Sequence, residues 1–222
     1  MAPESDIHWV VLKFGGTSVS SRECWQTIAG QVRKRLDEGL KPVVVCSALS
    51  GVTNRLEALL AESVAGKHEP LLQELEQHHR QMGEALGIDT TGLLDVELSE
   101  LHRLASGTSL VREVSPRVQA QMLAVGELLT TRLGAAALQR AGLETSWVDA
   151  RRCLCATDEP QASARRHYLS ASCGHDHDPE LGRWLESQAG DVVLTQGFIA
   201  RDGAGETVLL GRGGSDTSAA LL

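Results

Sequence analysis

His8-Trp9-Val10-Val11-Leu12-Lys13-Phe14 is a short valine-rich apolar run, and Gly15-Gly16-Thr17-Ser18 breaks it. A continuous apolar run of this length, closed by glycines, predicts a buried strand ending in a tight loop. Downstream, Trp25, Ile28, Ala29, Val32 and Leu36 recur at helical spacing. Ser20 and Glu23 precede them as a capping box, and Gly39 follows as a stop signal. Residues 43–46 form a second short β-branched run, residues 47–53 a loop of small residues, and residues 54–65 a further helix. Strand, glycine loop, helix, strand, loop, helix is the order of an α/β fold with a parallel sheet covered by helices.

Residues 70–142 carry no strand pattern. Leu94, Leu98, Leu101 and Ala105 line one helical face, and Val118, Met122, Val125, Leu129 and Leu133 another. Ser115-Pro116 fits the start of that second helix. Strands resume over 145–148 and 192–197. Asp202-Gly203 is a hairpin signal that pairs 198–201 with 206–210. Gly211-Arg212-Gly213-Gly214 is a second glycine loop, after which Ser215 or Asp216 caps a helix starting at Thr217. That helix has barely begun at Leu222, so the sequence reads as a fragment of a longer protein. Residues 158–185 read as a polar, irregular surface excursion, and His78-His79 as the exposed face of a helix.

Net charge of −8 disfavours nucleic acid or an anionic membrane as a partner. No apolar run approaches the ~20 residues of a spanning helix, and the first residues do not form a secretory signal. Five cysteines, an odd number at irregular spacing, fit free thiols in a cytoplasmic protein better than a disulfide framework.

Five constellations could carry chemistry. Lys13 with the amides of Gly15, Gly16, Thr17 and Ser18 suits a phosphate cradle, or is a plain strand-to-helix turn. It lacks the Walker A pattern. Gly211-Arg212-Gly213-Gly214-Ser215-Asp216 surrounds one arginine with glycines. The guanidinium can grip a carboxylate, and Asp216 can orient a lysine or help place Mg²⁺; otherwise this is a turn with a solvated arginine. Residues 47–54, including Ser47 and Thr53, offer hydroxyls at the carboxyl edge of the sheet, with Thr53 or Asn54 capping the next helix. Gly126-Glu127 places a costly glycine inside an apolar helix, beside a glutamate that by itself reads as solvated. Cys153, Cys155, Cys173, His175 and His177 are zinc-competent residues without zinc-site spacing, in keeping with a solvated loop and no metal site.

Taken in order, the motif at Lys13-Phe14-Gly15-Gly16-Thr17-Ser18-Val19, the loop 47–54, Gly126-Glu127-Leu128, Thr195-Gln196-Gly197-Phe198-Ile199 and Leu210-Gly211-Arg212-Gly213-Gly214-Ser215-Asp216 resemble the aspartokinase family. The resemblance implies a three-layer α/β/α sandwich of the amino-acid kinase type, with a mainly parallel sheet that is incomplete at the C-terminus. Residues 1–222 would be its N-terminal, substrate-binding part, with the ATP-binding remainder absent. The implied activity is transfer of the ATP γ-phosphoryl to the β-carboxylate of L-aspartate with Mg²⁺, the first step toward lysine, threonine and methionine. Lys13 and the amides of Gly15 and Gly16 would stabilise the transferring phosphoryl. Asp216 would orient Lys13. Ser47, Thr53, Glu127, Phe198, Arg212, Gly213, Gly214 and Ser215 would hold aspartate, Glu127 at the ammonium and Arg212 at a carboxylate. The resemblance further implies a homo-oligomer in the full-length protein. Residues 168–173 and the Trp-Val-Val-Leu-Lys-Phe opening resemble aspartokinases fused to diaminopimelate decarboxylase. Two other readings stand beside this one: a sister kinase acting on glutamate or acetylglutamate, and a non-catalytic amino-acid-binding module.

Overall fold

A computed structural model describes residues 8–174, 178–211 and 213–222. Four parallel strands form the central sheet: β1 (Trp9–Phe14), β2 (Lys41–Cys46), β3 (Thr145–Trp147) and β4 (Val192–Gln196), in the order β1-β2-β4-β3. The register sets Lys13 beside Val45 and Phe14 beside Cys46, with Cys46 in turn beside Gln196. The three strand ends that matter for function therefore lie side by side.

Alternation along β2 divides the core. Val44 and Cys46 face one layer, with Val192 and Leu194 of β4, while Val43, Val45 and Val193 face the other. Helices cover both faces, which is why these strands read as unbroken apolar runs. The first face is covered by α1 (Arg22–Asp37) and the long α5 (Pro116–Arg140). The helices α2 (Val52–Val64), α3 (Glu69–Leu86) and α4 (Asp95–Val111) pack around α5 on its outer side. The second face takes α7 (Pro179–Glu186), through Leu181, Trp184 and Leu185, and α8 (Gly214–Leu221), through Ala219. The result is the expected α/β/α layering. The hairpin of β5 (Ile199–Arg201) and β6 (Thr207–Leu209) is antiparallel, and Asp202 closes its turn by accepting hydrogen bonds from the amides of Ala204 and Glu206.

Several local expectations shift. The cap of α1 is Ser21, which accepts from the Cys24 amide at 3.2 Å. Ser20 instead ties two loops together, donating to the Gly16 carbonyl and accepting from the Ser50 amide. Adjacent serines are equivalent to a capping pattern, and only tertiary contacts separate them. Ser115 caps α5 as expected, accepting from Val118 N. α2 starts at Val52 behind Gly51, whose φ of +80° makes the turn, so neither Thr53 nor Asn54 is its cap. α8 starts at Gly214, three residues earlier than expected, after Gly213 in the left-handed region. His79 is fully buried, with Nδ1 against the Leu75 carbonyl; burial pushes its pKa down to about 4. The stretch 158–185 is not wholly irregular, since it contains α6 (Ala164–Leu169) and most of α7.

Close packing of α1 on α5 depends on Gly134. A Cβ there would sit 2.1 Å from Cη2 of Trp25, whose indole N–H is fixed on the Val19 carbonyl at 2.9 Å. Gly134→Ala is expected to destabilise the fold by about 2 kcal/mol, because overpacking against a held ring exceeds the helix-propensity gain. In urea denaturation the midpoint should fall with the m-value unchanged.

Candidate active site

At the carboxyl edge of the sheet lies a cleft of about 600 Å³. Lys13, Ser47, Thr53, Glu127, Phe198, Gly213, Gly214, Ser215 and Asp216 all line it. These residues come from five separate stretches of chain. They meet because β1, β2 and β4 end together, which is where open α/β sheets bind ligands.

Lys13 is the penultimate residue of β1. Its ammonium lies 2.7 Å from Oδ1 of Asp216 in the first turn of α8, so the start and the end of the chain meet across the cleft. Ser47, just after β2, donates its hydroxyl to the Ser215 hydroxyl at 2.9 Å. Gly15 lies against the Lys13 amine: a Cβ there would be 3.7 Å from Nζ. Gly16 must be glycine, since a Cβ would meet the Ala48 carbonyl at 2.8 Å. Thr17 and Ser18 are exposed in a short 3-10 turn, and the Ser18 amide already donates to the Gly15 carbonyl. None of Gly15, Gly16, Thr17 and Ser18 lines the cleft; they adjoin it through Lys13 and the loop at Ala48.

Glu127 corrects the expectation of a solvated side chain. It is 3% exposed, in the middle of α5. Oε1 accepts a long 3.4 Å contact from the Ala48 amide, and Oε2 has no partner. Burial therefore dominates and pushes the carboxyl pKa up to about 8. A buried carboxyl with one unpartnered oxygen, opening on a cleft, is a receptor for a cation. Gly126 explains how it gets there. A Cβ at Gly126 would be 3.0–3.2 Å from Val52, Leu56 and Ala48, so the glycine lets α5 approach α2 and the loop before it. Thr130, one turn on, accepts from the Leu49 amide at 3.0 Å and fixes the same loop.

The wall made by residues 196–198 is equally constrained. Gln196 braces the sheet edge, accepting from the Ala150 amide and donating to Thr131, both at 2.8 Å. Phe198 has φ +72°, a left-handed conformation that costs an aromatic residue on the order of 1–3 kcal/mol. It is held by its amide on the Ser218 hydroxyl and its carbonyl on the Leu210 amide. Gly197 has Ser215 directly above it: a Cβ would lie 2.6 Å from the serine Cβ and 2.7 Å from its Cα. Gly197→Ala must displace the start of α8. A shift of about 1 Å at Ser215 and Asp216 is expected to cost turnover about 10²-fold. Steady-state kinetics with a thermal melt separates this from unfolding.

The structure also adds lining residues that were not among the expected site residues. Glu57 of α2, Gln119 and Leu123 of α5, and Arg165, Leu169 and Ser170 of the 158–185 stretch line the cleft. A helical period of Glu57 on Thr53 and of Glu127 on Leu123 was available as a signal. For the 158–185 stretch none was. Arg212 lies outside the described residues, as do His175 and His177. Burial pushes the Cys153 thiol up to about 12 and the Cys173 thiol to about 11.

Comparison with known proteins agrees with this geometry. Residues 8–222 match the Amino acid kinase family. The bifunctional aspartokinase/homoserine dehydrogenase 2 of Escherichia coli is 32% identical over 214 residues, covering 93% of this chain and 25% of that protein. The lysine-sensitive aspartokinase 3 of the same organism is 31% identical over 223 residues, covering 96% of this chain and 45% of its own length. The solved structure of E. coli aspartokinase III in complex with aspartate and ADP superposes with a TM-score of 0.77 at 28% identity, covering 96% of this chain and 46% of that one. This chain thus spans less than half the length of these relatives. With the matched residues running through the sheet, the cleft and both glycine loops, the chain belongs to the amino acid kinase family.

Proposed function

We propose that this chain is the N-terminal, substrate-binding part of an aspartokinase, which transfers the γ-phosphoryl of ATP to the β-carboxylate of L-aspartate. The observation that carries the reading is Glu127. A buried carboxyl with an unpartnered oxygen shares one cleft with a lysine held at a strand end, as a ligand with both an ammonium and an acidic group requires. The named relatives at about 30% identity are aspartokinases, and one neighbouring structure holds aspartate with ADP.

On this reading Glu127 binds the substrate ammonium, and Thr53, Ser47 and Ser215 orient its polar groups with their hydroxyls. Phe198 and Leu123 close the cleft against water. Arg212 grips a carboxylate. Lys13 stabilises charge on the transferring phosphoryl, and Asp216 fixes the position of that ammonium. The protein forms no covalent bond with substrate; positioning and charge carry the reaction. Gly15 leaves the space beside the Lys13 amine free of side chain, which fits a phosphate there. Asp216, a carboxylate on the cleft, would help hold Mg²⁺. When bound, the ion neutralises phosphate charge. The full-length enzyme is proposed to be a homo-oligomer in the cytoplasm; among the described residues no helix is long and apolar enough to cross a membrane.

A hydroxamate-trapping assay on the full-length protein tests the substrate. Acyl phosphate should form from L-aspartate and not from L-glutamate or N-acetylglutamate. Product from glutamate without product from aspartate would overturn the assignment.

A further inference from the structure

Two loops meet at the carboxyl edge of the sheet. One is the glycine loop after β1, where Gly15 leaves the space beside the Lys13 amine free of side chain. The other joins β2 to α2, residues 47–51, and runs past Glu127. They pack face to face: a Cβ on Gly16 would meet the Ala48 carbonyl at 2.8 Å and the Ser50 Cα at 3.5 Å. Phosphoryl transfer needs donor and acceptor at one separation, so whatever fixes these loops on each other bears on turnover.

Side chains hold three successive amides of the second loop. From α5, Glu127 accepts from the Ala48 amide at 3.4 Å and the Thr130 hydroxyl from the Leu49 amide at 3.0 Å. The Ser50 amide donates to the Ser20 hydroxyl at 2.8 Å, and that hydroxyl gives its own proton to the Gly16 carbonyl at 2.5 Å. Of these three side chains, only Ser20 also bonds the glycine loop. One oxygen serves as acceptor toward one loop and donor toward the other, as a hydroxyl can and a carboxylate cannot. The backbone of Ser20 is fixed on either side. Val19 is fully buried, and its carbonyl accepts the Trp25 indole N–H at 2.9 Å. Ser21 caps α1 on the Cys24 amide at 3.2 Å. The hydroxyl between them is presented from a rigid corner.

We propose, resting on the aspartokinase reading, that Ser20 is a positioning residue for phosphoryl transfer. It holds the glycine loop, and with it the open space beside the Lys13 amine, at a fixed distance from the loop that borders the amino acid. Glu127 and Thr130 tie the second loop to α5 without Ser20, so loss of this hydroxyl frees the glycine loop and leaves the amino-acid side in place. Ser20 is half-buried and Ser50 exposed, so water can replace both hydrogen bonds and the fold loses little. Water does not fix the distance between the loops.

Steady-state kinetics of Ser20→Ala in the full-length protein tests this, with L-aspartate affinity read separately by calorimetry. kcat is expected to fall about tenfold, short of the ~10²-fold loss that a displacement of about 1 Å brings. Aspartate affinity and melting temperature should stay those of wild type. Ser20→Thr keeps the hydroxyl and should recover most of the rate. Ser20→Cys, with only a weak S–H donor, should not. An unchanged kcat in Ser20→Ala would overturn the proposal. So would an aspartate affinity that falls in step with kcat, because Ser20 would then shape the amino-acid pocket. A collapsed melt, or no recovery in Ser20→Thr, would overturn it as well, by making the residue a part of the fold. Wild-type protein that forms no acyl phosphate from aspartate would overturn the aspartokinase reading itself, and this assignment with it.

Discussion

Lys13→Ala in the full-length protein should lower turnover by about 10³-fold, the order expected when a fixed charge at a developing charge is removed. The fold should survive. The Lys13 side chain is 28% exposed and that of Asp216 74%, so their ion pair is largely solvated and contributes about 1 kcal/mol at most. The backbone of Lys13 is set by its strand, because β1 is in register with β2 along its whole length, and the pair orients only the ammonium. The variant should therefore melt within a few degrees of wild type while its kinetics collapse. Near-normal turnover would remove Lys13 from the chemistry. A collapsed melt would make it a structural residue.

Glu127→Gln should have the second large effect, in opposite directions on binding and on stability. Glutamine keeps the shape of the protonated acid but cannot ionise against an ammonium. Loss of a buried charge partner of this kind weakens aspartate binding by about a hundredfold or more. Stability moves the other way. The carboxyl pKa is about 8 in the fold against the ordinary glutamate value of 4.5. The folded protein therefore holds a proton that the unfolded chain releases across that window. Stability from this group is complete below the lower value and is lost as pH rises through the higher one. Ligand-free wild type should accordingly lose stability between pH 5 and pH 8, whereas Glu127→Gln should not. Denaturant titrations of both proteins at the two pH values check this, with Glu127→Gln the more stable at the upper one.

The sheet was legible in the sequence because parallel strands covered on both faces carry no polar–apolar alternation, although β1, expected to be buried, is a half-buried edge strand. The runs at Trp9–Phe14 and Lys41–Cys46 are followed by glycines or by a loop of small residues closed by Gly51. The hairpin turn at Asp202-Gly203 was legible for a similar reason, since the aspartate caps its own turn. Burial of polar residues was not. Glu127 and His79 lie on helices whose apolar stripe admits them, and periodicity cannot tell a polar residue on the stripe's edge from one covered by a neighbouring helix. His79 is sealed in α3, and Glu127 is covered where α5 meets the loop after β2 while still lining the cleft. Helix starts at Gly51 and Gly213 were missed because a left-handed glycine does the work usually assigned to a hydroxyl cap.

The site divides along the same line. Lys13, Ser47, Thr53, Phe198, Ser215 and Asp216 follow strand ends or glycines, so their place at the sheet edge could be inferred from local sequence. Arg165 and Ser170 reach the cleft only because α6 docks on α5 and β6, a tertiary event with no short-range signature. Gln196 looked like part of the pocket motif and is in fact a brace between the Ala150 amide and Thr131.

Proton release measures most directly whether Glu127 receives the substrate ammonium, as proposed. At pH 7 the free protein should hold Glu127 mostly protonated, because its pKa is about 8. Binding of an ammonium requires the carboxylate. Calorimetric titration of L-aspartate in two buffers of different ionisation enthalpy should show roughly one proton leaving wild type per ligand bound, and essentially none leaving Glu127→Gln. Aspartate affinity should rise with pH up to about 8 in wild type only. Equal proton counts in the two proteins, or binding to wild type with no proton released, would contradict the account.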